Sequence, residues 1–199
     1  MNGFERRTEK IKQRIKQATI DLLIDMEPRN LRIIDIVKQA DVSQVTIYKH
    51  FGSKENLIRE AVQDWYMDIL ERTVNYMKDP EKSFQDKISF IIFNKKQSVH
   101  QFSIDKLNKL MLEDNGMKTF INKVYHDHTL PLMIDLVEQG RKEGAIHHTF
   151  PTSLIMFYLN IFMEKAASLT DFAKNYTSED AFIEDIMQLF FYGVTGKRH

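Results

Sequence analysis

The sequence predicts an all-α protein in two parts: a small N-terminal bundle of three helices, and a larger helical remainder joined to it by a long helix. Three observations lead there. Apolar residues recur three and four positions apart almost throughout, and no sustained run of strict alternation appears. The 7 glycines and 4 prolines among 199 residues are too few to break helices often, and they fall at boundaries. Hydrophobic residues make up 43% of the chain, enough to fill a real core, which excludes a disordered polypeptide.

In the first helix Ile11, Ile15, Ala18, Leu22 and Met26 line one face, and Pro28 lies just beyond its end. A second helix is expected from near Asn30 or Leu31 to near Gln39. Ser43 is a good N-cap for a short third helix reaching about His50, because its hydroxyl can accept an otherwise unpaired amide of the first turn. Ser53 is placed to cap a long fourth helix to about Met77. Asp79-Pro80 reads as the next start, with aspartate as cap and proline in the first turn. Further helices are expected over residues 80–99, 104–114, 117–142, 152–169 and 178–193, punctuated by Asn115-Gly116, Gly144 and Pro151. Pro131 falls inside the longest of these. It should kink that helix, since the bond to the carbonyl of Asp127 is lost and the ring collides with it.

Composition narrows the chemistry. Without cysteine there is no disulfide, thiolate metal site or cysteine nucleophile, which fits a reducing cytoplasm. Residues Met1 to Arg14 are charged and lack the apolar centre of a signal peptide. The longest apolar run, Leu154 to Met163, is about half of the ~20 residues that span a bilayer. A soluble cytoplasmic chain with no membrane partner is expected. Formal net charge is zero, yet Arg6, Arg7, Lys10, Lys12, Arg14 and Lys16 crowd the first helix against only Glu5 and Glu9. Such a leader suits phosphates or simply a solvated helix face.

The informative stretch is residues 31–62. It reads as two short helices around the break Ala40-Asp41-Val42, with Ile33, Ile36, Val37, Ala40, Val42, Ile47 and Phe51 as a small shared core. Ser43, Gln44, Thr46, Tyr48, Lys49 and His50 are left for the outside. A short exposed helix bearing amide, hydroxyl and cationic groups has what major-groove reading requires, although an ordinary helical hairpin with a polar surface has the same composition.

The run Val42-Ser43-x-x-Thr46-Ile47-Tyr48-x-x-Phe51-x-Ser53-Lys54-x-x-Leu57 resembles the signature of TetR-family transcriptional regulators. The likeness covers roughly residues 10–66 at motif level. Beyond that only the layout of helices is similar. It implies a helix-turn-helix DNA-binding domain over residues 1–55, and a ligand-binding and dimerisation domain over residues 56–199. Two positions depart from the family pattern. Asp41 stands where glycine usually supplies a left-handed backbone, a conformation aspartate tolerates at a cost of roughly 1 kcal/mol. Arg32 replaces the usual threonine or serine, and either grips phosphate or guanine or is simply solvated.

Site residues follow from resemblance and chemistry together. Tyr48 and Lys54 match family phosphate contacts, and Lys54 lies at a helix start that already favours an anion. Gln44, Thr46, Lys49 and His50 are the candidates for reading sequence, with Gln44 suited to adenine and Lys49 to guanine. Val45 either packs on a thymine methyl or completes the core. With Arg32 and Ser43, these make up the expected DNA contacts.

No catalytic constellation stands out beyond Tyr66, so no enzyme activity is expected. His126-x-His128 and His147-His148 lack the i,i+4 spacing that puts two imidazoles on one helix face, so neither a metal nor any other cofactor is expected. Glu113-Asp114 is adjacent and suits a helix end better than acid-base chemistry. The last two expected helices are apolar nearly all round, which calls for a second partner surface. The resemblance supplies it as a homodimer interface, with Ile155, Leu159, Phe162, Phe182, Ile186, Leu189 and Phe190 as its residues. It also implies an effector pocket, for which Tyr66, Leu70, Phe93, His100, Met111, Tyr125, His128, Asn160 and Met163 are candidates; the 10 methionines suit an adaptable, largely apolar site. The expected function is a ligand-responsive repressor released from a palindromic operator. The alternative is an activating or architectural DNA-binder without a small ligand.

Overall fold

A computed structural model describes residues 3–99, 104–146 and 149–158, with residues 161, 178, 181, 182, 185 and 189; for residues 92–99, 104, 105, 108, 111 and 112 it describes the backbone alone. Every regular element among them is helical: α1 (Gly3–Asp25), a 3-10 turn (Pro28–Asn30), α2 (Ile33–Ala40), α3 (Gln44–Phe51), α4 (Lys54–Lys78), α5 (Phe84–Val99), α6 (Ile104–Glu113), α7 (Asn115–Val124), a π-helical segment (Tyr125–Thr129) and α8 (Leu130–Lys142). Residues 152–158 are helical as well. Among the described residues no helix is long and apolar enough to cross a membrane.

The chain divides into two compact units. One contains residues up to 73 together with 94–123; the other contains 74–93 and the residues from 124 onward. The domain boundary expected at residue 55 therefore falls inside the first unit. The core explains why. Leu57, Ile58, Ala61 and Val62 of α4 are buried in the same cluster as Ile15 and Leu23 of α1, Leu31, Ile36 of α2 and Ile47 of α3, and α6 and α7 add Leu110 and Met117. Each fully buried aliphatic side chain stabilises the fold by about 1.5–3 kcal/mol, so α4, α6 and α7 are held to the three-helix bundle by the strongest term available. Polar ties reinforce it. Lys106 of α6 donates to the carbonyls of Leu23 (2.7 Å) and Ile24 (2.5 Å), satisfying the C-terminus of α1, which has no basic residue in its own last turn. Lys109 pairs with Glu27 at 3.2 Å.

The second unit has its own core of Met77, Phe84, Ile88, Leu132, Met133, Leu136, Val137, Ile146 and Ile155. Its first helix starts later than the sequence suggested. Asp79 accepts the amide of Glu81 at 2.9 Å and so closes a turn that contains Pro80, while the helix itself opens at Phe84. The cap is a reciprocal pair: Ser83 Oγ accepts the Asp86 amide (3.1 Å), and the Asp86 carboxylate accepts the Ser83 amide (2.9 Å) and hydroxyl (2.6 Å). These bonds hold the Asp86 carboxyl below the usual range.

Pro131 is accommodated in a way the sequence did not suggest. In place of one interrupted α-helix over residues 117–142, α7 widens into the π segment Tyr125–Thr129, where the Leu130 amide reaches back to the carbonyl of Tyr125, and α8 then begins with Pro131 in its first turn. A proline at the start of a helix has no amide bond to lose, and the wider turn absorbs the registry change that a ring inside an α-helix forces. Beyond α8, Gly144 (φ +73) reverses the chain. Arg141 fixes the connection, donating to the carbonyl of Phe150 (2.6 Å) and the hydroxyl of Thr152 (2.8 Å).

Candidate nucleic-acid interface

The unit around α2 and α3 is a tight helix-turn-helix. Asp41 takes the left-handed conformation, φ 49 and ψ 58, and its amide donates to Val37. The chain turns there without glycine, and Arg14 of α1 fastens the turn by donating to the Asp41 carbonyl at 3.2 Å. Ser43 then caps α3, accepting the Thr46 amide at 3.1 Å. At the far end Gly52 (φ 74) donates to Tyr48 and closes the helix, and Ser53 caps α4 by accepting the Asn56 amide at 3.1 Å.

Ile47 and Phe51 point inward and are buried, which fixes the rotation of α3 about its axis. Gln44, Val45, Tyr48 and Lys49 are exposed as a result, at spacings that place them on one contiguous face. Val45 is 76% exposed and Tyr48 43%, so Val45 does not complete the core. Thr46 and His50 are half-buried at the edges of this face. Thr46 Oγ1 lies 2.8 Å from Ser43 Oγ, so both hydroxyls serve the start of the helix. The His50 ring meets Phe51 edge-on, 6.4 Å between centroids. Chemically the face offers an amide with donor and acceptor, a branched methyl surface, a phenol and an ammonium, which together match base edges, thymine methyls and phosphate oxygens.

Cations around this face are largely engaged. Lys54 is half-buried and its Nζ donates to the carbonyl of Leu31 at 3.0 Å. Arg32, at the N-cap of α2, pairs with Asp35. In the basic leader, Lys16 is buried against Asp64. Lys12 pairs with Glu60 at 3.6 Å and lies over the Phe51 ring. Arg6, Arg7 and Lys10 are exposed. Asp35, Glu60 and Asp64 were missed as partners in the sequence. Asp35 had a visible signal, the i,i+3 spacing from Arg32 on one helix face; the other two lie on a helix distant in sequence.

The residues expected to line a sensor are distributed over both units. Tyr66 and Leu70 belong to the first. Leu70 is buried; Tyr66 is half-buried and meets Phe120 edge-on at 6.0 Å, and burial pushes its phenol up. Tyr125 and His128 belong to the second, in the π segment, Tyr125 half-buried and His128 exposed. Phe93 and Met111 are placed on α5 and α6 by backbone alone, and His100, Asn160 and Met163 lie outside the described residues. A surface cleft of about 390 Å³ in the first unit is lined by Gln13, Arg14, Gln17, Ala18, Asp21 and Gln39, none of them an expected sensor residue.

Of the expected dimer residues, Ile155 and Phe182 are already buried within the single chain. Ile155 packs in the core of the second unit. Leu189 is exposed, and Leu159, Phe162, Ile186 and Phe190 lie outside the described residues. Among the described residues Leu154, Phe157 and Ile161 are exposed as well, at i, i+3 and i+7, the spacing of one helix face. His126 is exposed, and among the described residues no cluster of three or more potential ligands would hold a metal ion.

Residues 15–61 match a family model described as bacterial regulatory proteins, tetR family. Solved structures share the fold over most of the chain. The fatty acid degradation regulator FadR from Bacillus halodurans is 19% identical with a TM-score of 0.67, over 92% of this chain and 95% of that one. FadR from Bacillus subtilis, in complex with stearoyl-CoA, is 18% identical with a TM-score of 0.68, over 91% and 98%. Salmonella enterica GusR is 15% identical with a TM-score of 0.70, over 94% and 96%. No curated protein matches the chain in sequence.

Proposed function

From the match of residues 15–61 to the model of tetR-family bacterial regulatory proteins, we propose that this chain is a cytoplasmic, sequence-specific transcriptional repressor, released from its operator by a small-molecule effector. One observation carries the DNA-binding part: α3 presents Gln44, Val45, Tyr48 and Lys49 together to solvent while Ile47 and Phe51 lock it against the core. Gln44 reads adenine, Lys49 guanine and Val45 a thymine methyl, with Tyr48 holding phosphate. Ser43, Thr46, His50 and Lys54 border that contact.

The reading includes a homodimer. The exposed row Leu154, Phe157 and Ile161 supports it, because a hydrophobic helix face of this length is disfavoured in water. A twofold protein reads an inverted repeat whose half-sites lie one turn, roughly 34–36 Å, or a multiple of that apart. The effector is largely apolar; only the acyl part of the stearoyl-CoA held by FadR from Bacillus subtilis, which has the same fold, is of that kind. The protein acts by binding and not by catalysis.

The test is selection of duplexes from a random-sequence library by the full chain. Enrichment of an inverted repeat is expected. Retention of all duplexes alike would replace sequence-specific regulation with the architectural alternative, and retention of none would end the DNA-binding reading.

A further inference from the structure

The turn that enters α2 carries an ion pair outside the reading face. Arg32 occupies the N-cap in extended conformation, φ −107 and ψ 148. Its Nε donates to Oδ2 of Asp35 at 3.0 Å and its Nη2 to Oδ1 at 2.9 Å, a two-pronged fork, and its backbone amide also reaches Oδ2 at 3.3 Å. The two partners differ sharply in exposure: 74% for the Arg32 side chain, 15% for that of Asp35. The acid therefore lies beneath the base, and an approaching molecule meets the cation. The fork occupies the Nε hydrogen and one Nη2 hydrogen, which leaves the Nη1 pair and the second Nη2 hydrogen for an outside acceptor.

An exposed ion pair of this kind adds little to stability, so stability is a weak reason for its geometry. Its location supplies a better one. Lys54 Nζ is bonded to the carbonyl of Leu31, and the amide of that same peptide unit, Arg32 N, donates to Asp35 Oδ2, so Lys54 and the fork are tied to one peptide. In a helix-turn-helix the helix before the reading helix crosses the phosphate backbone. A guanidinium held by a carboxylate fork meets a phosphate with its direction already set, and planar two-pronged recognition is what arginine does best.

We propose that Arg32 and Asp35 form one phosphate-gripping unit, in which Arg32 contacts a backbone phosphate of duplex DNA and Asp35 is a positioning residue that holds the guanidinium in register. The proposal rests on the DNA-binding reading above and gives it a sharp sign. By charge alone, removing a carboxylate beside a polyanion strengthens binding. If Asp35 positions Arg32, its neutralisation weakens binding instead.

The experiment uses the full chain and a duplex enriched by the wild-type protein from the random library, with affinity measured across a salt series. Arg32→Ala is expected to weaken binding about tenfold and to lower the salt slope by about one unit. Asp35→Asn and Arg32→Lys keep the cation but lose the fork; each should weaken binding by about threefold or more with the slope retained. In the Arg32→Ala background, where only the charge effect remains, Asp35→Asn should no longer weaken binding. Arg32→Lys leaves the Asp35 carboxylate in place, so the fork is tested without disturbing the helix start, and thermal unfolding verifies that each variant is folded. Binding by Asp35→Asn as tight as wild type or tighter overturns the proposal, as do additive losses in the double variant. A relaxed preference at one base with an unchanged slope for Arg32→Ala overturns the phosphate assignment. A wild-type chain that enriches no duplex overturns the parent reading and this one with it, whereas normal enrichment with silent variants overturns this one alone.

Discussion

Arg59 of α4 and Asp114, the residue between α6 and α7, share a three-contact ion pair: Nε lies 3.0 Å from Oδ1 and 2.8 Å from Oδ2, and Nη2 lies 2.8 Å from Oδ2. Asp114 also accepts the Met117 amide at 2.9 Å and so caps α7. Burial pushes the Asp114 carboxyl up, but the bonds from Arg59 and the Met117 amide outweigh it, and the group titrates below the usual carboxylate range.

Asp114→Ala is therefore expected to destabilise the protein by about 1.5–3 kcal/mol, the usual worth of a hydrogen-bonded charged group. A carboxyl whose pKa is depressed on folding contributes stability that is full above its unfolded value, about 3.9, and lost as pH falls through its lower native value. The gap between wild type and variant in urea unfolding should be constant near neutrality and shrink below about pH 4. A gap unchanged at pH 3 would assign the effect to something other than this carboxylate.

Asp41 holds φ 49 with a Cβ present. Asp41→Gly should relieve that strain and raise stability by up to about 1 kcal/mol, less the entropy glycine adds to the unfolded chain. Asp41→Val should cost more than about 1 kcal/mol, because a branched side chain resists the left-handed region. Thermal unfolding ranks the three, and a valine variant as stable as wild type would contradict the turn geometry.

Gly140 sits inside α8, where alanine would ordinarily favour a helix by about 0.8–1 kcal/mol. Here a Cβ would stand 2.8 Å from Ile146 Cδ1 and 2.9 Å from the ring of Phe84, which is itself buried. Gly140→Ala is expected to reverse the propensity gain and destabilise by about 1–3 kcal/mol through overpacking. Denaturant unfolding checks it; a stabilised variant would mean that this core yields.

Val45 and Gln44 touch nothing that the fold depends on. Replacing either by alanine should leave stability within about 0.5 kcal/mol of wild type. Each should nevertheless relax base preference at one position per half-site, worth about 1–3 kcal/mol for Gln44 if it pairs with both edges of adenine. Library selection with each variant measures this, and an unaltered preferred sequence would remove that residue from the reading face.

Phe157 is 63% exposed between Leu154 and Ile161. Phe157→Arg should leave the folded chain intact, as it buries no charge there, yet turn the proposed dimer into a monomer and weaken operator binding with it. Sedimentation of both proteins decides the matter: a variant that remains dimeric would move the interface elsewhere.

Much of the fold was legible because its determinants act over one or two helical turns. The caps Ser43 and Ser53 perform as their positions suggest, accepting amides three residues on. Periodicity placed Ile47 and Phe51 inward, and hence Gln44 and Lys49 outward. At one boundary the sequence misled. Asp79-Pro80 reads as a helix start, but the helix opens at Phe84 because Ser83 and Asp86 satisfy each other's amides.

By itself, then, the sequence determined the helical class, the turn at Asp41 and the face that α3 can offer to DNA, since each depends on neighbours a few residues away. Only the tertiary structure decided which charges remain for a partner. Six cations in the leader look alike in sequence, but Lys16 meets Asp64 and Lys12 meets Glu60 on α4, and Arg14 meets the Asp41 carbonyl; on α4 itself, Lys54 meets the Leu31 carbonyl. A long flexible side chain takes whatever acceptor the fold brings within reach, and that acceptor is set by packing between distant segments, which no local pattern encodes.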